Sequence, residues 1–269
     1  MTARGATARV MERTHSSKEA PEMAIRRPSA PSPESLPVQV TVDPRFAGPP
    51  GVGNGGYVAG LLAEHLAGPI KVRLHAPVPV ASTLELEADG AVRLAQGGRM
   101  LAEATPGEAH KSVPRPVSFA EAVEARAGTR SPEDHPFPRC FVCGPERAPC
   151  DGLRLLSAWI PGRDVMATPW RPADWLADSS GVVATPHVWA ALDCPSYWPL
   201  ARPGEVALLG QLEGETLSPV MAGRPHVVMS WAEARNGRKM IGGSAVLARD
   251  GQLLAAARGT SIRIDSPGP

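Results

Sequence analysis

The sequence predicts an α+β protein made of two similar units, each with an antiparallel sheet packed against one central helix. An apolar run rich in Ala and Leu follows a glycine-rich loop within residues 51–68, which is typical of a loop that enters a buried helix. Residues 75–103 then alternate apolar and polar side chains and break at Asp89-Gly90 and Gly97-Gly98, as hairpins do. A similar order of elements returns from residue 158 onward.

The first half is predicted to run in the order strand, loop, helix and several strands. A short strand covers Val38 to Phe46, and the loop after it leads into the helix. Residues 71–74 and 84–87 alternate cleanly, and a hairpin is expected to join residues 92–94 to 100–104.

A proline-rich connector is predicted between the two halves, from residue 106 to 138. Within it, Ser118 is expected to cap a short helix at residues 118–126, with Glu121 in the position of a capping box.

The second half repeats the pattern of the first. Strand-like residues at 158 and 165–170 precede a loop that runs to Ser180. Thr185-Pro186 predicts a helix start with Thr as N-cap, and Pro195 predicts the helix end. The remaining strands are predicted at residues 207–212, 226–234, 240–247 and 253–264, with turns at Asn236-Gly237 and Asp250-Gly251.

Composition argues for a protein with a substantial core and no bulk charge. The 269 residues are 43% hydrophobic, enough for one large or two moderate domains. The net charge of +1 favours neither nucleic acid nor an anionic membrane as a partner. The four cysteines show no disulfide framework, so reduced thiols and a cytoplasmic location are expected.

The first 36 residues are polar and lack a hydrophobic period, so a disordered tail is expected there. A transit peptide is the competing interpretation, but four glutamates in this segment count against it. No apolar run is of the kind that a secretory signal or a membrane span needs, so neither export nor membrane insertion is expected.

A central apolar helix followed by a curved antiparallel sheet resembles the hotdog fold. Asn54-Gly55-Gly56 stands where thioesterases of that superfamily often carry His-Gly-Gly or a related sequence. Residues 58–63 align with 188–193, and Pro77-Val78 aligns with Pro219-Val220. The chain therefore resembles the double-hotdog acyl-CoA thioesterases over residues 38–264. This implies hotdog domains at 37–106 and 138–265, a linker at 107–137, and an internal pseudo-dimer.

The resemblance also implies one composite catalytic site. In these families the helix start supplies amides to the thioester carbonyl, and an acid on the other copy's helix activates water or attacks. The first half carries Asn54-Gly55-Gly56 but has Ala63 at the acidic position, whereas the second half has Asp193 but Thr185-Pro186 in place of glycines. We therefore expect Gly55 and Gly56 to polarise the carbonyl, Asn54 to orient substrate or water, and Asp193 to act as base or nucleophile.

The residues themselves also single out Asp193, because a carboxylate on an apolar helix is expected to be partly buried with a raised pKa. A structural carboxylate that caps a loop is the alternative. Glu64 is the rival acid, but one helical step of about 100° turns it away from the Asp193-equivalent position. The residues expected to bind substrate are Tyr57, His187 and Trp189, with Arg238 and Lys239 expected to meet the phosphates of coenzyme A.

The predicted activity is therefore hydrolysis of an acyl-CoA or related acyl thioester, which needs no cofactor. One alternative is an acyl-CoA hydratase or dehydratase that uses Asp193 with His187. The other is a non-catalytic acyl-CoA-binding protein. Further pairing into a homo-oligomer is possible in the family that the chain resembles.

A short segment with three cysteines leaves a second question open. Cys140-x-x-Cys143 is typical of zinc ligands, and Cys150 with His135 would complete a set of four. The closing pair is irregularly spaced, which favours a structural segment without metal. No thioredoxin-like pattern surrounds these residues, so no metal and no redox chemistry are expected.

Overall fold

A computed structural model of the chain describes residues 37–110, 112–129 and 135–264. The tail predicted at residues 1–36 lies outside these ranges. Within them, no helix is both long and apolar enough to cross a membrane.

The described part contains three α-helices, α1 (Gly55–Ala63), α2 (Phe119–Ala125) and α3 (Thr185–Tyr197). Its strands in chain order are β1 (Val38–Thr41), β2 (Ile70–Leu74), β3 (Thr83–Asp89), β4 (Ala91–Gln96), β5 (Arg99–Pro106), β6 (Ala158–Trp159), β7 (Met166–Trp170), β8 (Val206–Thr216), β9 (His226–Asn236), β10 (Lys239–Ala248) and β11 (Leu253–Ile264).

All eleven strands of the described residues form one antiparallel sheet, in the order β1-β3-β4-β5-β2-β8-β11-β10-β9-β7-β6. The predicted α+β class with antiparallel hairpins is confirmed. The sheet is continuous between the two halves, because β2 pairs with β8 and places Ile70 opposite Gly214. A sequence pattern cannot reveal this pairing, since it depends on which edge strands meet in space.

The central helices α1 and α3 cross at close range because glycines leave room for their backbones. A Cβ on Gly56 would lie 2.9 Å from the Cα of Ala190, and a Cβ on Gly60 would lie 2.4 Å from the Cα of Pro186. Gly56 and Gly60 are four residues apart and so lie on one face of α1. The helix from each half is therefore in direct contact with the other.

The two halves repeat the same backbone hydrogen bonds before their central helices. Asn54 N–H donates to the Phe46 carbonyl, and Ala184 N–H donates to the Leu176 carbonyl. Gly53 N–H donates to Val78, and Val183 N–H donates to Val220, which is the Pro-Val alignment found in the sequence. The internal repeat is therefore present in the backbone of both halves.

The short connector helix α2 forms as predicted. The Ser118 hydroxyl accepts a hydrogen bond from Glu121 N–H at 3.2 Å, and Ser118 N–H donates to the Glu121 carboxylate at 2.7 Å. This is the reciprocal capping box expected from the sequence.

Three predicted boundaries are wrong. The first strand ends at Thr41 because Asp43 caps a short 3-10 helix at Pro44–Phe46. The N-cap of α3 is Ala184 rather than Thr185. Pro195 lies inside α3, which continues to Tyr197. Pro195 removes the N–H that would reach the Ala191 carbonyl, but helical bonding continues past it, with Trp198 N–H donating to the Cys194 carbonyl. The Ser244 hydroxyl of β10 donates to the Leu192 carbonyl of the same stretch at 2.6 Å.

Candidate active site

The buried carboxylate of Asp193 receives two hydrogen bonds from the start of α1. Gly56 N–H donates to Asp193 Oδ2 at 2.8 Å, and Asn54 Nδ2 donates to the same oxygen at 3.0 Å. Asp193 is 7% exposed and Asn54 is 2% exposed. The two halves of the chain thus meet in a single polar cluster within an apolar core.

The local sequence explains why Asn54 and Gly56 reach the carboxylate. Asn54 is the N-cap of α1, and its Oδ1 accepts from Tyr57 N–H at 2.9 Å, which turns Nδ2 toward α3. A Cβ on Gly56 would lie 2.5 Å from the Asp193 Cβ. Only glycine allows the amide at this position to approach the carboxylate so closely.

Burial changes the acidity of this carboxyl group. Desolvation raises the pKa of Asp193 from 3.8 to about 7, although the hydrogen bonds from Gly56 and Asn54 oppose the rise. The negative charge that Cys140 would carry as a thiolate adds to the increase. A carboxyl group with such a pKa can accept a proton and release it near neutral pH.

Asn54, Gly55 and Asp193 line a largely apolar cavity of about 550 Å³. Its walls come from the loop before α1, the end of β2, the segment at 135–143, and strands β8 and β11. The side chains that make it apolar include Val58, Leu74, Val78, Phe137, Leu209 and Ile262. A volume of this size lies within the usual range of small-molecule sites.

The two predicted amide donors have different environments. The Gly56 amide is bonded to Asp193, whereas the Gly55 amide has no hydrogen-bond partner among the described residues. Gly55 is the first residue of α1, where N–H groups have no partner inside the helix. Gly55 also lines the cavity, so its amide is the donor left for a ligand.

Tyr57 and His187, predicted to bind substrate, do not line this cavity. They lie together in an aromatic cluster with Phe46, where the Tyr57 and Phe46 rings stack at 4.1 Å and the Tyr57 and His187 rings are 5.6 Å apart. Phe141 and Trp175 also contact His187. The reason is the repeat itself, because Tyr57 and His187 occupy equivalent helix positions and meet where α1 and α3 cross.

His187 is expected to make folding stability depend on pH. Burial lowers its pKa from 6.5 to about 4, with a smaller contribution from Arg45. Between these pH values the unfolded chain binds a proton that the folded chain does not, so stability is fully present above about pH 6.5 and falls toward pH 4. We expect His187 to contribute a loss of about 2 to 3 kcal/mol over this window. Asp193, whose folded pKa is raised to about 7, shifts stability in the opposite direction, so the contribution of His187 is measured against a variant without this histidine.

Urea unfolding at about pH 7 and about pH 4.5 measures this loss. In His187→Phe the free energy of unfolding at about pH 4.5 relative to that at about pH 7 should be higher than in the wild type by most of that amount. The matched control is His65→Gln, which removes an exposed histidine just beyond α1. An unchanged pH difference in His187→Phe would show that other groups cause the acid sensitivity.

The other residues predicted to contact substrate also lie outside the cavity wall. Trp189 is buried in the core, with its carbonyl against Gly56. Arg238 and Lys239 are exposed at the turn between β9 and β10, and Arg238 Nε donates to the Arg263 carbonyl at 3.0 Å. They nonetheless neighbour the cavity, because Lys239 pairs with Ile262, which lines it. Glu64 is exposed.

A cluster of three cysteines forms part of the same cavity wall. The sulfur atoms of Cys140, Cys143 and Cys194 all lie within 4.8 Å of one another. Cys194, rather than Cys150 or His135, completes this group, and Cys150 is exposed. Cys194 follows Asp193 on α3 and is 54 residues from Cys140, so no spacing rule could have linked them.

The three thiols share hydrogen bonds that favour charge on one sulfur. Bonds from the Cys143 and Cys194 thiols hold the pKa of Cys140 well below its usual value, and the amides of Cys143 and Val142 assist. Burial raises the pKa of Cys143, and the bond to Cys140 raises the pKa of Cys194. The first proton of the cluster therefore leaves Cys140.

Known structures share this architecture. A protein from Alicyclobacillus acidocaldarius described as having a hot dog fold matches with a TM-score of 0.51 and 12% identity, over 87% of this chain and 96% of that one. The tesB protein of Mycobacterium avium subs paratuberculosis matches with a TM-score of 0.56 and 12% identity, over 85% and 93%. The acyl-CoA thioesterase II TesB2 of Mycobacterium marinum matches with a TM-score of 0.51 and 13% identity, over 84% and 92%.

These similarities establish the hotdog fold for this chain, as the sequence predicted. No protein-family model matches the sequence, and no curated protein sequence matches it. The function therefore has to be argued from the site.

Proposed function

We propose that the chain consists of two hotdog domains, at 37–106 and 138–265, joined by a linker at 107–137 and arranged as a pseudo-dimer. The backbone hydrogen bonds donated by Asn54 and Gly53 in the first half are repeated by Ala184 and Val183 in the second half, which supports this division. The contact between α1 and α3 supports a shared site, because each domain supplies one of the helices.

We further propose that this site hydrolyses an acyl thioester, with acyl-CoA as the expected substrate. The observation that carries the proposal is the Asp193 carboxylate, held by Gly56 and Asn54 at the wall of an apolar cavity. A general base or nucleophile must be fixed within reach of a bound carbonyl, and these two bonds fix it. The acid comes from one half and its donors from the other.

The amides of Gly55 and Gly56 would have different roles in the reaction. Gly56 N–H orients Asp193, and the thioester carbonyl oxygen would accept from the amide of Gly55, a residue that lines the cavity. Donors fixed in advance stabilise the oxyanion that develops when the carbonyl is attacked. Asp193 would then attack the carbonyl carbon or take a proton from the attacking water.

The two ends of the substrate would meet different surroundings. The apolar side chains of the cavity, such as Leu74, Leu209 and Ile262, would contact the acyl group. Arg238 and Lys239 remain our candidates for the phosphates of coenzyme A, because they are exposed beside a strand that lines the cavity.

The alternative of a hydratase depended on Asp193 acting with His187. His187 lies in the aromatic cluster, outside the cavity that contains Asp193, so no observation favours that pair. A non-catalytic acyl-CoA-binding protein is the remaining alternative, and an assay separates it from a hydrolase.

The test is release of free CoA from a panel of acyl-CoA esters, followed with a thiol reagent. We expect turnover by the wild-type protein and a loss of about 10²-fold in kcat/KM for Asn54→Ala, because Asp193 loses one of its two donors. The cap lost with Asn54 also lowers stability by about 1 kcal/mol, so activity is compared below both unfolding temperatures. Binding of acyl-CoA without any thiol release would mean that the protein is a binder.

The matched control is Gln252→Ala, which removes an exposed side-chain amide from the turn between β10 and β11, away from the cavity lining. It should leave turnover within about twofold of wild type, since it changes no group at the site. A similar loss of kcat/KM in both variants would show that Asn54 has no specific role in the reaction.

A further inference from the structure

The three cysteines of the cavity wall are already close to the geometry of a metal site. Four ligands at about 2.3 Å from a tetrahedral zinc ion lie about 3.8 Å from one another. The sulfur atoms of Cys140 and Cys194 are 3.8 Å apart, and all three sulfur atoms lie within 4.8 Å. Shifts of less than about an ångström would bring them around one ion.

The loop that carries two of these cysteines is held in place by its backbone. Gly144 N–H donates to the Cys140 carbonyl at 2.9 Å, and Phe141 N–H donates to Ala47 of the first half at 2.8 Å. A Cβ on Gly144 would lie 2.4 Å from the Cys140 carbonyl oxygen, so the turn requires glycine. Because the backbone already fixes these ligands, little conformational entropy is lost when a metal ion binds.

We propose that Cys140, Cys143 and Cys194 bind a soft divalent cation, Zn²⁺, with its fourth position open to the cavity. Three sulfur ligands select zinc over Mg²⁺ or Ca²⁺, which take oxygen ligands. All three cysteines line the cavity beside Asp193, so the fourth position faces the same space. Binding would release the thiol protons to solvent, since the metal takes thiolates.

This site goes beyond the proposed hydrolysis and does not depend on it. The cysteine cluster contains none of the groups that would bind or attack the carbonyl. Its test therefore measures metal content and spectra rather than turnover. A protein that binds zinc but does not hydrolyse thioesters would support the metal site and contradict the proposed function. A protein that hydrolyses thioesters but binds no metal would do the reverse.

The experiment loads full-length protein, purified with a reductant and without chelator, with Zn²⁺ or Co²⁺. We expect about one ion per chain after desalting, and a Co²⁺ form with thiolate charge-transfer and tetrahedral d–d absorption. Zn²⁺ should raise the Tm of the wild type, because it binds only the folded cluster.

The variants are Cys194→Ser and, as a matched control, Cys150→Ser. Cys194→Ser should lose the ion, the thiolate band and the Tm shift, whereas Cys150→Ser should retain all three, since Cys150 is exposed and outside the cluster. If Cys194→Ser does not fold, the wild-type spectrum and its loss on adding a chelator still decide the question.

Two results would overturn the proposal. One is wild-type protein with three unmodified cluster thiols and no retained Zn²⁺ or Co²⁺ after loading. The other is a disulfide between cluster cysteines in protein kept under reductant, which would make the cluster a redox pair.

Discussion

Asp193→Asn is expected to lower kcat/KM for thioester hydrolysis by about 10³-fold, or about 4 kcal/mol of transition-state stabilisation. Asparagine has the same shape, so its side-chain oxygen can still accept from Gly56 N–H. It cannot take a proton from water or attack a carbonyl as a carboxylate does. The loss should appear in kcat, with KM for the acyl-CoA little changed, because the cavity remains intact.

The control for this variant is Glu64→Gln, which removes the rival acid on α1. Glu64 is exposed, so its loss should change kcat/KM by less than about threefold. Activity that depended on Glu64 and survived in Asp193→Asn would reject the composite site. Circular dichroism and Tm of both variants would show that the fold is retained.

The structural features that the sequence predicted correctly are those that depend on residues close together in the chain. The capping box of Ser118 and Glu121, the apolar run of α1 and the hairpin turn at Asn236-Gly237 each depend on neighbours within a few residues, so their patterns are visible in the chain. Asp193 was recognisable because a carboxylate interrupts an apolar helix and aligns with Ala63 in the other half.

The features that the sequence did not predict depend on distant contacts. Pro195 does not end α3, because helical hydrogen bonds continue beyond it, with Trp198 N–H donating to the Cys194 carbonyl. Cys194 joins Cys140 across 54 residues, through the packing of α3 against a loop. His187 was assigned to the substrate site, but the crossing of the two helices turns it toward Tyr57.

Gly60→Ala is expected to destabilise the protein by about 4 kcal/mol, although helix propensity alone predicts the opposite sign. Alanine is favoured over glycine by about 1 kcal/mol in an exposed helix. At Gly60 the new Cβ would lie 2.4 Å from the Cα of Pro186 and 3.0 Å from the Thr185 carbonyl oxygen. Both are backbone atoms of α3, so no side chain can rotate away and the helices must separate.

The separation would also change the candidate active site, because the same crossing brings Gly56 to Asp193 one turn earlier on α1. Urea unfolding of Gly60→Ala and Gly128→Ala makes the comparison. Gly128 is exposed, with no atom within 4 Å of an added Cβ, so its variant should differ from wild type by less than about 0.5 kcal/mol. A Gly60→Ala protein as stable as wild type would mean that α1 and α3 are not in backbone contact, and the single composite site would lose its structural basis.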